Sequence, residues 1–107
     1  MRKIEREMNA AISNNQNWQK DNTSVTFDPE TNESIVRLHG NTIAVVGDDF
    51  VQIFDGGWQT NTTKSRLNAI LSEHGIPGER VFQKDWNWYV SVPSGGAIPF
   101  FSGMRLN

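Results

Sequence analysis

The chain has 107 residues, a formal net charge of −2 and no cysteine. That length suits one domain, residues 1–107, able to bury roughly two-thirds of its unfolded surface without metals or disulfides. The lack of thiolates excludes disulfides, thiol chemistry and every zinc site that needs sulfur, and the slight acidity is unlike the basic excess of a non-specific nucleic-acid binder.

The N-terminus, Met1-Arg2-Lys3-Ile4-Glu5-Arg6-Glu7, is charged at once, unlike a signal peptide, and no run approaches the length of a transmembrane helix. The expected location is a cytoplasm, with no membrane partner. Spacing predicts a first helix over 2–14. Ile4, Met8, Ala11 and Ile12 fall at i, i+4, i+7 and i+8 and form one apolar stripe; Arg2, Lys3, Glu5, Arg6 and Glu7 fill the solvated faces. Asn14-Asn15-Gln16-Asn17 ends that period, and Trp18 is placed to fold back on the helix.

From residue 23 the period is two. Strands are predicted at Thr23–Asp28, Ser34–His39, Thr42–Val46 and Phe50–Asp55, with turns at 28–33, 40–41 and 47–49. These connections are too short for parallel crossovers, so the strands form an antiparallel meander. In the fourth, Val51 and Ile53 point one way and Phe50 and Phe54 the other. Either the helices cover opposite faces, or one face meets a partner, which leaves a homo-oligomer open.

A second helix carries both of its end signals. Asn61 or Thr62 is the expected N-cap, and Leu67, Ile70, Leu71 and His74 form the inner stripe. Gly75 is expected in the left-handed conformation, with Ile76 packing back and Pro77 preventing continuation. Two more strands follow, Glu79–Lys84 and Trp86–Val92. In the latter Trp86, Trp88, Val90 and Val92 share a face, which assigns both tryptophans to the core. Ala97–Phe101 is a candidate last strand, and the tail Met104–Asn107 shows no clear period. The fold class is α+β: an antiparallel β-meander of about four strands plus a later β-hairpin, with an N-terminal helix and one inserted helix.

Two places could make contacts. Thr62, Thr63, Lys64 and Arg66, with Trp58 and Asn61, surround the start of the second helix, where free N–H groups and two cations suit an anion or nucleic acid. No Walker-type glycine spacing precedes it, and a simple capped helix explains the same residues. In a meander the first and third turns share one end, which gathers Asp28, Glu30, Glu33, Asp48 and Asp49 into an acidic edge. Such an edge suits a basic protein surface or imitates a nucleic-acid backbone; solvated turn acids are the plainer reading, and neither turn has the spacing of a calcium loop. The sequence offers His39 and His74 no nucleophile motif and no fixed Asp partner, so no catalytic or metal residues are assigned. Trp58, after Gly56-Gly57, is the aromatic expected at the surface.

Met1-Arg2-Lys3-Ile4-Glu5, Asn17-Trp18 with Asn22-Thr23-Ser24-Val25, Val36-Arg37-Leu38-His39-Gly40-Asn41 and the longer run from Gly57 to Ala69 resemble a family of small proteins of tailed bacteriophages, cyanophages among them. The resemblance spans most of the chain and carries over no activity and no functional residues. It implies a phage accessory protein made in the cytoplasm of an infected bacterium. Small phage accessory proteins often bind host machinery, so the expectation is a non-enzymatic, cofactor-free protein. It would bind a host or viral protein, through the acidic edge, as an inhibitor of a host defence system. The alternatives are a nucleic-acid-binding accessory protein, using Trp58, the helix start and the N-terminal cations, and a small phosphoester or nucleotide enzyme at the same helix start.

Overall fold

The computed structural model describes residues 1–106. Their order is α1 (Lys3–Ser13), β1 (Trp18–Lys20), β2 (Thr23–Asp28), β3 (Glu33–Leu38), β4 (Asn41–Val46), β5 (Val51–Ile53), α2 (Asn61–His74), β6 (Arg80–Lys84), β7 (Asn87–Ser91), β8 (Ala97–Pro99) and β9 (Met104–Leu106). Six strands form one antiparallel sheet in the order β1-β2-β3-β4-β5-β9, and β6-β7-β8 form a second.

The α+β class and the central meander are as the period-two pattern predicts. The sheet is wider by one short strand at each edge. β1 sets Trp18 opposite Val25, and β9 sets Met104 opposite Ile53. The tail is thus part of the sheet as far as Leu106, while Asn107 lies outside the described residues. Three-residue strands carry too little alternation to be read from sequence.

Both helices pack on one face of this sheet, where Val25, Val36, Leu38, Val46, Val51, Ile53, Met104 and Leu106 are buried with Met8, Ile12, Leu67 and Ile70. The helices therefore do not cover opposite faces. The aromatics of the other face are sheltered locally. The Phe50 ring lies against Gly47, where any Cβ would collide with it, and the Arg105 guanidinium sits 3.7 Å from its centroid. Phe54 packs on Gly103. The small sheet closes the core from the side of α2, burying Val81, Trp88 and Val90, with Trp88 edge-on to Phe100 at 5.3 Å.

Helix α2 is buried over a wide arc, Thr63, Arg66, Leu67, Ala69, Ile70 and Leu71, because it contacts β4 and β5 as well as β6. Its N-cap is Thr60, one residue before the expected pair: Thr63 N donates to Thr60 Oγ1 at 3.1 Å. It ends at His74 as expected, but Gly75 is not left-handed. Its φ is −87° and ψ −173°, so the chain leaves in an extended direction. The Ile76 N–H is taken instead by Glu79 Oε1 at 2.7 Å, which makes a left-handed turn unnecessary. Glycine is still required, for space: a Cβ here would lie 2.7 Å from Leu71 O and 2.8 Å from Glu79 Oε1. Gly75→Val should cost about 1–3 kcal/mol through this overpacking, measured as a lower urea midpoint.

The β6–β7 hairpin brings a second correction. Its two-residue turn is Asp85-Trp86, with φ of 51° and 70°. Trp86 is thus outside the strand and 89% exposed, while Trp88 alone is core. The alternation from 86 to 92 was misleading because the turn reverses the chain at its first member. Turns with two positive φ values prefer Asn-Gly, and a bulky residue there is strained. Trp86→Gly should therefore raise folding stability by about 0.5–1 kcal/mol, read as a higher urea midpoint at an unchanged slope. The β3–β4 turn is of the same kind, formed by His39 and Gly40 rather than 40–41, with φ of 52° and 79°.

Candidate functional site

The residues expected to bind an anion at the start of α2 do not all converge: Trp58, Thr62 and Thr63 line one cleft, Asn61 and Lys64 another, and Arg66 neither. Arg66 points inward. Its Nη1 donates to Glu5 Oε2 at 2.9 Å and its Nε to Thr23 Oγ1 at 3.1 Å, and both charged side chains are only 4% exposed. Ser65 Oγ donates to the same Glu5 oxygen at 2.6 Å, and the Arg2 N–H reaches Glu5 Oε1 at 3.3 Å. Burial pushes the Glu5 carboxyl upward, but the hydrogen bonds from Ser65, Arg66 and Arg2 and the Arg66 charge outweigh it, so the net shift is downward. Beside this cluster Asn9 Nδ2 donates to Ala69 O at 3.0 Å. Glu5 and Asn9 are therefore interior residues, not members of a solvated face, and they tie α1 to α2 and β2.

This arrangement removes Arg66 from any external phosphate. Thr63 is also buried, its hydroxyl 3.0 Å from that of Thr60. Lys64 and Asn61 face a groove shared with Ser72 and Arg80, whereas Thr62 lines a different hollow with Trp58. These five residues, with Trp58, divide among three separate surroundings.

The acidic edge does assemble. Asn32, in the β2–β3 turn, donates through Nδ2 to both Asp48 oxygens, at 2.8 and 3.0 Å, which clips that turn to the β4–β5 turn. Asp28 caps its own turn by accepting from Glu30 N at 2.9 Å, and Glu33 stands opposite Asp28 in the sheet register. Glu30, Asp48 and Asp49 are exposed. Among the described residues no group of three His, Cys, Asp or Glu side chains is placed to hold a metal.

The opposite end of the meander is aromatic. The 54–60 loop turns through Gly56 and Gly57, both at positive φ, with Gly57 N donating to Asp55 Oδ1 at 2.8 Å. It carries Trp58, which is 74% exposed. The 100–103 loop is fastened to it, since Asp55 N donates to Ser102 Oγ at 3.1 Å, and carries Phe101, 63% exposed. Gln59, Asn87 and Phe100, chain neighbours of Trp58, Trp86 and Phe101, line one hollow of about 330 Å³. Three exposed aromatics thus sit on converging segments. Beside Trp58 lies a cleft of about 340 Å³, floored by Leu38 and Ile43 and rimmed by His39, Asn41, Asp55, Trp58, Thr60, Thr62 and Thr63.

Trp58 was legible as a surface residue from its Gly-Gly turn. Phe101 and Trp86 were missed, although Asp85 and Asn87 on either side of Trp86 are turn formers. His39 is exposed at the cleft, and His74 is half-buried with Nε2 unpartnered; burial lowers its pKa against the raising influence of Glu73.

Fold and surface together define a small α+β domain with an acidic end and an aromatic end. The chain belongs to the Kyanoviridae Gp96 protein family, a cyanophage family whose model matches residues 1–107. No curated protein and no solved structure matches it. No helix among the described residues is long and apolar enough to cross a membrane.

Proposed function

We propose that this phage protein is a non-enzymatic accessory protein that binds a host protein in the cytoplasm of the infected cell and inhibits a host defence system. The observation that carries the binding role is the exposure of Trp58, Trp86 and Phe101 on converging segments at one end. Tryptophan and its aromatic relatives dominate the energetics of protein interfaces, because they bury large apolar areas at little conformational cost. Trp86 adds a strained backbone to its exposure, and neither stabilises the free protein. The phage family supports the accessory role. The acidic end contributes steering: exposed carboxylates speed encounter with a basic surface more than they hold it.

Affinity capture from infected cells tests this reading, with wild type beside Trp58→Ala and Trp86→Gly. A stoichiometric protein partner, lost with these variants while their folds persist, supports it. DNA or RNA copurifying with steep salt dependence overturns it in favour of nucleic-acid binding. With the partner in hand, replacing Asp28, Glu30, Asp48 and Asp49 by Lys should slow association several-fold at low salt and change dissociation little. An unchanged association rate removes the acidic end from the encounter.

A further inference from the structure

The cleft beside Trp58 has a specific chemistry. Asp55 is its one carboxylate, and no lysine or arginine is among its lining residues. Asp55 makes no ion pair among the described residues; one of its oxygens serves the Gly57 N–H. Around it stand further polar side chains, Asn41, Thr62 and His39, while the Thr60 hydroxyl is engaged as the cap of α2. Leu38 and Ile43 supply an apolar floor, and the bare Gly56 backbone lies directly over Ile43, where a Cβ would come within 3.3 Å of Cγ2. Trp58 forms one wall and is mostly open to solvent.

The start of α2 lends the Thr60–Thr62 rim some positive field, but an anion would meet the Asp55 carboxylate with no lysine or arginine to offset it. The combination of an open indole, an unpaired carboxylate, polar side chains and an apolar floor matches a cation with a flat head and an aliphatic stem. A guanidinium stacks on an aromatic face, forks onto a carboxylate and keeps donors for neighbouring oxygens, while its stem covers apolar surface. An ammonium satisfies the charge but not the stacking. We infer that the cleft bounded by Trp58 and Asp55 takes an arginine side chain of the bound protein, with the guanidinium against the indole and hydrogen-bonded to the Asp55 carboxylate. The inference rests on the partner being a protein, as proposed above.

The test uses the full chain, followed by residue-resolved NMR. It is titrated with the blocked tripeptide acetyl-Gly-Arg-Gly-amide, its citrulline analogue, which is neutral but nearly isosteric, and a neutral trisaccharide. The arginine peptide should give saturable shifts at the Trp58 indole and the Asp55, Gly56 and Gly57 amides, and the citrulline peptide should bind about tenfold more weakly. Asp55→Asn retains the turn geometry, because Asn forms the same side-chain turn, and should also weaken binding about tenfold. Trp58→Ala should weaken it about two- to fivefold.

Equal binding of the citrulline peptide overturns the inference, as do shifts confined to Glu30, Asp48 and Asp49. Tighter binding of the trisaccharide at the same residues also overturns it and makes the cleft a sugar site. Because these titrations contain no partner, they stand or fall separately from the capture experiment.

Discussion

Arg66→Ala is expected to remove about 3–5 kcal/mol of folding stability, a large share of the total for a domain of this size. The guanidinium and the Glu5 carboxylate are both interior, and deleting one leaves the other as an uncompensated buried charge. Ser65, Thr23 and Asn22 also donate to or accept from the pair, so their groups lose order with it. Replacing both charges, as Glu5→Leu with Arg66→Met, should recover most of the loss, because an apolar pair of similar volume carries no desolvation penalty. Urea unfolding of the single and double variants checks both statements, and a double variant as weak as the single one would contradict the desolvation explanation.

The same pair sets a pH dependence. The folded Glu5 carboxyl lies below its ordinary value of 4.5, so its stabilisation is present above 4.5 and lost as pH falls through the lower folded value. His74 acts in the same direction from higher pH. Its folded value is depressed from 6.5 by burial, so folding favours the neutral ring and loses support as pH drops below 6.5. The urea midpoint should therefore begin to decline below pH 6.5 and fall more steeply below 4.5. Glu5→Gln should flatten the acid part alone.

Asn68→Ala should cost about 2–4 kcal/mol, from two interior backbone groups left unsatisfied. The Asn68 side chain reads the Val81 backbone as a second strand would: Val81 N donates to Oδ1 at 2.8 Å, and Nδ2 donates to Val81 O at 2.9 Å. Val81 is fully buried and Asn68 half-buried at the edge of the Lys64–Arg80 groove, so water reaches these bonds only from the Asn68 side. This is the polar fastening between α2 and the three-stranded sheet. Its loss should appear in hydrogen exchange as faster opening of Val81 and the β6–β7 pairs, with the six-stranded sheet less affected. Uniform loss of protection would show that the two sheets open only as one unit. Asn68→Asp should be at least as harmful, because a carboxylate places an acceptor against the Val81 carbonyl.

These two variants mark the division between what is local and what is not. Alternation in 23–28, 34–39 and 42–46 determined the meander, because a strand with one buried face must repeat with period two. Turn composition determined that Asp28–Glu33 and 47–49 share an end, and topology alone then placed the acidic edge there. Met8, Ala11 and Ile12, with half-buried Ile4, determined the apolar stripe of α1, and Gly75-Ile76-Pro77 determined where α2 stops. The tertiary structure decided which charges are interior. Glu5 and Arg66 are 61 residues apart, and no local pattern distinguishes an arginine that meets a buried carboxylate from one that meets water. It decided that β1 and β9 exist, since three-residue strands are held by the partner strand rather than by their own periodicity. It moved Trp86 from the core to a hairpin tip, where register across the hairpin outranked alternation along one strand. It also brought the 54–60, 85–87 and 100–103 segments together, because the contacts that join loops far apart in sequence are made only once the sheets and helices beneath them are packed.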